Sequence, residues 1–184
     1  MMTVKEINMT SALNVNELAT LNAKLLTHLD EGIFFARLSQ FIFTTMNEHK
    51  VQIFEAGVDG STQLKAENGT LIENGAAYAK GQGLSGYVVK TKRAYYSNSA
   101  KRDPLLANSI RDEKVEAELS VPMIVEGTVL GTIHVQTTNA DRKFSDADIA
   151  EILSVLNSIQ ASIKNIRLYL LAKNMNINAI REKL

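Results

Sequence analysis

Three glycines at residues 81–86, GQGLSG, stand at the G-x-G-x-x-G positions of a phosphate-cradling loop. Such a loop holds a pyrophosphate on backbone N–H groups at a helix N-terminus. It needs a buried strand directly before the glycines, and the preceding ENGAAYAK makes a poor one. Strands and helices are also grouped along this chain rather than alternating. The glycines therefore read as a sharp turn into a short helix that packs closely at Gly86.

Other reactive residue types are sparse. The chain has no cysteine. Disulfides, thiolate nucleophiles, zinc ribbons, iron–sulfur clusters and thioether-linked cofactors are excluded together. His28 falls in an N-terminal helix, His49 opens a strand and His134 lies within GTIHVQT. No two of them have metal-ligand spacing, so no metal site is expected. No Ser/His/Asp set is readable, and no catalytic residue is assigned. His134 shares a strand face with Thr132 and Gln136, opposite Ile133 and Val135. That face is either polar packing or the wall of a cavity.

Charge is uneven. Lys80, Lys90, Lys92, Arg93, Lys101 and Arg102 lie between Asn74 and Arg102 with no acidic residue among them. The stretch suits a small anionic ligand such as a nucleotide phosphate, or simply a solvated rim. Overall the 20 basic and 20 acidic residues cancel, so no nucleic-acid or anionic-membrane partner is expected. No run approaches the ~18 apolar residues of a membrane span, and the N-terminus lacks a signal-peptide core. A cytoplasmic protein is expected.

The elements that must position these residues follow from periodicity. Residues 1–13 read as a flexible N-terminus. A helix starting near Asn16 carries Leu18, Leu21, Leu25 and Leu29 on one face. Residues 31–46, EGIFFARLSQFIFTTM, form a second helix that is apolar nearly all round. Short strands are expected at 49–56 and 61–67, with at most a turn and a short strand at 68–75. A short helix at 84–93 and a short strand at 94–99 follow, then an irregular stretch to 113. The clearest hairpin is residues 117–138, turning at Glu126-Gly127. A long helix opens at Phe144-Ser145 with Ser145 as N-cap.

That helix shows a heptad pattern. Its a sites are Ile149, Leu156, Ile163, Leu170, Ile177 and Leu184, and its d sites are Ile152, Ile159, Ile166, Lys173 and Ile180. A sustained period of 3.5 implies a partner helix, read as a second copy, with bundling against the N-terminal helix as a compatible alternative. Lys173 marks a weak point. The last residue, Leu184, falls on the seam, which hints at a coil continuing into an output domain or a chain cut there.

Two stretches resemble a known family. GQGLSGYVVKTKRAYYSNSAKRDP resembles the middle of a GAF domain. ELSVPMIVEGTVLGTIHVQTT followed by KFSDADIAEIL resembles that family's later strand–turn–strand–helix signature. The likeness covers roughly residues 30–165. It implies an α+β fold with a central antiparallel sheet. Short helices and loops would enclose a small-molecule pocket on one face, with N- and C-terminal helices on the other. The domain proper would span 14–165, with 166–184 extending as a coiled coil. The family's methionine-sulfoxide-reducing branch depends on cysteine and its bilin binders use thioethers, so neither chemistry is open to this chain.

Within such a pocket the expected ligand residues are Tyr87, Tyr96, Asn98, Arg102, Arg111 and His134. The resemblance implies a regulatory domain that senses a small molecule and signals through a homodimer of terminal helices to an output domain or partner protein. The alternatives are a ligand-free dimerisation domain and a cyclic-nucleotide-binding domain. For the latter, Asn139, Lys143, Phe144 and Asp148 match part of a signature, but Ile149 stands where it has Glu.

Overall fold

The computed structural model describes residues 15–26, 30–106 and 113–181. Two helices come first, α1 (Val15–Leu26) and α2 (Glu31–Met46). Four strands follow: β1 (Lys50–Ala56), β2 (Thr62–Glu67), β3 (Thr70–Leu71) and β4 (Ala77–Tyr78). Helix α3 (Gly83–Thr91) leads to β5 (Tyr95–Ser97), the hairpin β6 (Ala117–Val125) and β7 (Thr128–Thr137), then α4 (Asp146–Ser158) and α5 (Gln160–Arg181). The antiparallel sheet runs β3-β2-β1-β7-β6-β5, and β4 also pairs with β2.

Strand alternation sorts the sheet into two faces. Val51, Ile53, Leu119, Val121, Met123, Ile133 and Val135 are buried in one core with Phe34, Phe35, Leu38 and Ile42 of α2 and the inner faces of α1, α4 and α5. Asp30 caps α2, its carboxylate accepting the Ile33 N–H at 2.9 Å. On the other side α3 covers β6 and β7 with a smaller core of Leu84, Val88, Ala100, Leu106 and Val115. The expected division, terminal helices on one face and a short helix on the other, is present.

The β6–β7 connection is tight because Glu126 (φ 49°) and Gly127 (φ 78°) both take the left-handed conformation of a type I′ turn. Simple alternation on β7 breaks, however. Met123 pairs with Gly131 and Ile124 with Val129, so Leu130 is an extra residue. The bulge puts Leu130, rather than Val129, in the core. Gly131 allows the close approach: a Cβ there would lie 2.1 Å from the Phe54 carbonyl oxygen.

The C-terminal helix is not continuous. It breaks at Ile159 (φ −109°, ψ 18°), between α4 and α5. The side chains of Ile152, Leu156, Ile159, Ile163, Ile166 and Leu170 are buried in the chain's own core, where Leu21 and Leu25 of α1 meet them, and Ile149 is packed against it. Ser162 fixes the α1–α5 contact by donating its hydroxyl to Asn22 at 2.7 Å. Up to Leu170 the expected dimer seam is thus an intramolecular contact. Lys173 reaches Glu31 of α2 at 3.5 Å. Residues 1–13, Leu29 and Leu184, and the side chains of Ile177 and Ile180, lie outside what is described.

Candidate functional site

The face of the sheet toward α3 is polar where a core would be apolar. Three cross-strand rows build it. Gln52, His134, Ser120 and Tyr95 form one row; Phe54, Thr132 and Pro122 flank it on one side, Gln136, Glu118 and Ser97 on the other. Direct cross-strand neighbours stand roughly 5 Å apart. Glu118, Ser120 and Thr132 are fully buried, and His134 is nearly so. The Glu118 Oε2 lies 2.9 Å from His134 Nε2. Glu118 Oε1, Ser120 Oγ and Thr132 Oγ1 are buried with no protein partner, as is Thr62 Oγ1 on β2.

Such groups ordinarily find partners, since an unsatisfied buried one costs about 1–3 kcal/mol. Three of the four, on Glu118, Ser120 and Thr132, gather on the β6–β7 face beside His134. Aromatic rings line one side. Phe54 lies 6.1 Å from the His134 ring and 5.8 Å from that of Tyr78. Burial, and then the Glu118 carboxylate, push the Tyr78 phenol up.

The glycine loop supports the cover over this face. Gly81 (φ 75°) and Gly83 (φ 63°) take left-handed conformations, and a Cβ on Gly86 would come within 2.9 Å of the Gly81 backbone. The loop thus folds back on the first turn of α3, as expected. At the far end of α3, Lys92 donates to the Gly127 carbonyl at 2.7 Å. The same turn is held from the other face of the sheet. Glu126 pairs with Lys164 at 2.9 Å and Arg167 at 3.0 Å, both on α5. A depression of about 290 Å³ also lies at the sheet edge, lined by Pro122, Ile124, Leu153 and Leu156 among others. It is mostly aliphatic and holds none of the partnerless atoms.

A GAF domain family model matches residues 25–164. The chain belongs to the GAF domain family. Solved structures agree on the fold. The GAF domain of an Acinetobacter phosphoenolpyruvate-protein phosphotransferase is 17% identical with a TM-score of 0.71, over 86% of this chain and 96% of that one. The free methionine-R-sulfoxide reductase of Neisseria meningitidis, solved with its substrate, is 12% identical with a TM-score of 0.69, over 83% and 89%. Residues 122 to 287 of a methyl-accepting chemotaxis protein are 17% identical with a TM-score of 0.67, over 81% and 98%. No curated protein sequence matches the chain closely enough to count as a relative.

The GAF domain does not bring all the expected ligand residues together. His134 is on the polar face. Tyr87, on α3, packs edge-on against Tyr95 with ring centroids 5.5 Å apart. Tyr96 points the other way, into the core shared with the terminal helices, because Tyr95 takes the alternate position on this three-residue strand. Asn98 is spent on structure: it accepts the Phe144 N–H at 2.7 Å and donates to the Phe144 carbonyl at 2.9 Å. Arg102 is exposed, and Arg111 and His28 lie outside the described residues.

Tyr95, not Tyr96, lies on the α3 side of the sheet. Its hydroxyl donates to Asp103 at 2.8 Å, and that bond, with burial, raises its pKa to about 12. Thr132 was legible on the face of His134; Glu118 and Ser120 were not singled out, although they alternate with the buried Leu119 and Val121 on β6 and pair with Gln136 and His134. The partial cyclic-nucleotide signature has other work. Asp148 forms a capping box with Ser145 and pairs with Arg142, while Phe144 is buried under the Arg142 guanidinium. Asn139 accepts the Asp141 N–H at 3.0 Å. Among the described residues no helix is long and apolar enough to cross a membrane, and no acidic, histidine or cysteine cluster could hold a metal.

Proposed function

We propose that this GAF domain is a non-catalytic sensor that binds a small molecule on the sheet face beneath α3 and reports binding through α5. The observation that carries the reading is the group of buried, partnerless polar atoms on Glu118, Ser120 and Thr132 beside His134. A ligand supplying their missing hydrogen bonds favours the bound arrangement by that difference.

The β6–β7 hairpin supports the route. Its residues on the α3 side are the proposed site, and its turn is held by Lys92 after α3 and by Lys164 and Arg167 of α5. A shift of α3 over a ligand reaches α5 through that turn. The output surface is a second copy of the chain. Leu168, Leu171 and Met175 share one outward face of α5, at 55%, 47% and 73% exposure. Leu26 on α1 is exposed as well. These residues, not the buried heptad seam, form the contact between copies.

Hydrogen exchange with and without a bound metabolite tests the proposal. Protection should appear in α3, in β6–β7 and in α5. A ligand that protects only α3 leaves the domain a binder without transmission. Absence of any ligand across a broad metabolite panel removes the sensor reading.

A further inference from the structure

Resting on the reading that the face beneath α3 binds a small molecule, we infer that the buried end of that molecule presents nitrogen-bound hydrogen-bond donors, as in an ammonium, amidinium or carboxamide group, and not a phosphate or carboxylate. Glu118 is fully buried, with one carboxylate oxygen on His134 and the other, Oε1, without a protein partner. A carboxylate oxygen only accepts, so the group that completes it is a donor. The free hydroxyls of Ser120 and Thr132 stand on the same face and can turn either way. They suit the remaining N–H groups of one donor cluster. The Phe54 and Tyr78 rings flank the site, and ring faces attract cationic nitrogen.

An anion meets the opposite environment. Its oxygens accept, and so does the partnerless Glu118 Oε1 they would meet, so no hydrogen bond forms between them. The basic stretch does not offset this. Lys80, Lys90, Lys92, Arg93, Lys101 and Arg102 are all exposed, with Lys92 on the Gly127 carbonyl and Lys101 on Glu116. The sequence feature that pointed to an anion therefore belongs to the surface, and the buried wall has the reverse preference. Sites built around a buried polar group reject partners that cannot match it.

Titration calorimetry on the full chain tests this with two sets of probes. One holds free amino acids, their amides, small amines and guanidines. The other holds inorganic phosphate, nucleoside monophosphates, cyclic nucleotides and dicarboxylates. At least one probe of the first set should bind. Its affinity should fall about tenfold or more in Glu118→Gln, which turns one acceptor oxygen into a donor. Thr132→Val should weaken it about three- to tenfold, and so should Ser120→Ala. These two variants carry the test if Glu118→Gln does not fold. Anions that bind with affinity unchanged or improved in Glu118→Gln overturn the inference while the sensor reading stands. Donor probes that bind equally to all three variants overturn it too, the polar cluster then holding ordered water only. No binding by either set sinks both.

Discussion

The partnerless hydroxyl of Thr132 makes a prediction whose sign differs from that for most buried substitutions. Thr132 is fully buried on a central strand, and its Oγ1 has no protein partner. Thr132→Val keeps the shape, the β-branching and the strand preference. It removes an unsatisfied polar atom that costs about 1–3 kcal/mol and puts a methyl group in its place. The ligand-free variant should therefore be more stable by about 1–2 kcal/mol. For a chain of this length a 1 kcal/mol change moves Tm by about 2–4 °C, so the rise should be about 2–8 °C. Urea unfolding should show a higher midpoint with an unchanged m-value.

Ser39 is the control. It is buried to the same degree, but its hydroxyl donates to the Val51 carbonyl at 3.1 Å. Ser39→Ala should lose about 0.5–1.5 kcal/mol, because a satisfied bond is removed. The Val51 carbonyl keeps the Asn68 N–H at 2.9 Å, which limits the loss. Equal burial and opposite signs separate a binding surface from ordinary packing. If Thr132→Val is neutral or destabilising, its hydroxyl already has what it needs, and the argument that the β6–β7 face awaits a ligand fails.

Gly131→Ala should cost about 3 kcal/mol or more, measured by urea unfolding, since its Cβ would meet the Phe54 carbonyl oxygen at 2.1 Å with no flexible atom to yield. Burial pushes the Asp148 carboxyl up, but Arg142 and the Ser145 hydroxyl and N–H hold it below the ordinary value of 3.8. Its contribution is then complete above about pH 3.8 and lost as pH falls through the lower folded value. Asp148→Asn should accordingly lose about 1–2 kcal/mol at pH 7, with a shallower acid limb below pH 3.8 in a Tm-versus-pH series. An ultraviolet titration should show a tyrosine with its midpoint near pH 12, absent in Tyr95→Phe. Because folding raises that pKa, the stabilisation is complete below the ordinary value of 10.0 and lost as pH rises through about 12.

Local features were legible because local chemistry decides them. The extent of α2 was legible from the apolar run of residues 31–46, and the β6–β7 turn from Glu126-Gly127; the caps Asp30 and Asn47 were seen only in the structure. The glycine loop was readable from what a dinucleotide fold requires. The choice between Tyr95 and Tyr96 was not. It depends on how β5 registers against β6, with Tyr95 opposite Ser120, and a three-residue strand carries no periodicity of its own. The bulge at Leu130 was equally hidden, because both alternations on β7 are apolar at that point.

The heptad seam shows how far a period can be trusted. Against a straight helix a 3.5-residue repeat drifts about 20° per heptad. From Ile149 to Leu170 that amounts to about 60°, less than the roughly 100° width of an ordinary core-facing stripe. The break at Ile159 also restarts the register before drift accumulates. An intramolecular stripe therefore satisfies the same spacing, and Ile152, Leu156, Ile163, Ile166 and Leu170 are buried in the chain's own core. What the pattern overlooked is the opposite face. Leu168, Leu171 and Met175 recur at i, i+3 and i+7 and are left exposed. If copies of the chain associate there, Leu171→Glu should give a monomer by sedimentation without lowering Tm below the monomer's own value, whereas Ile163→Glu should unfold the domain.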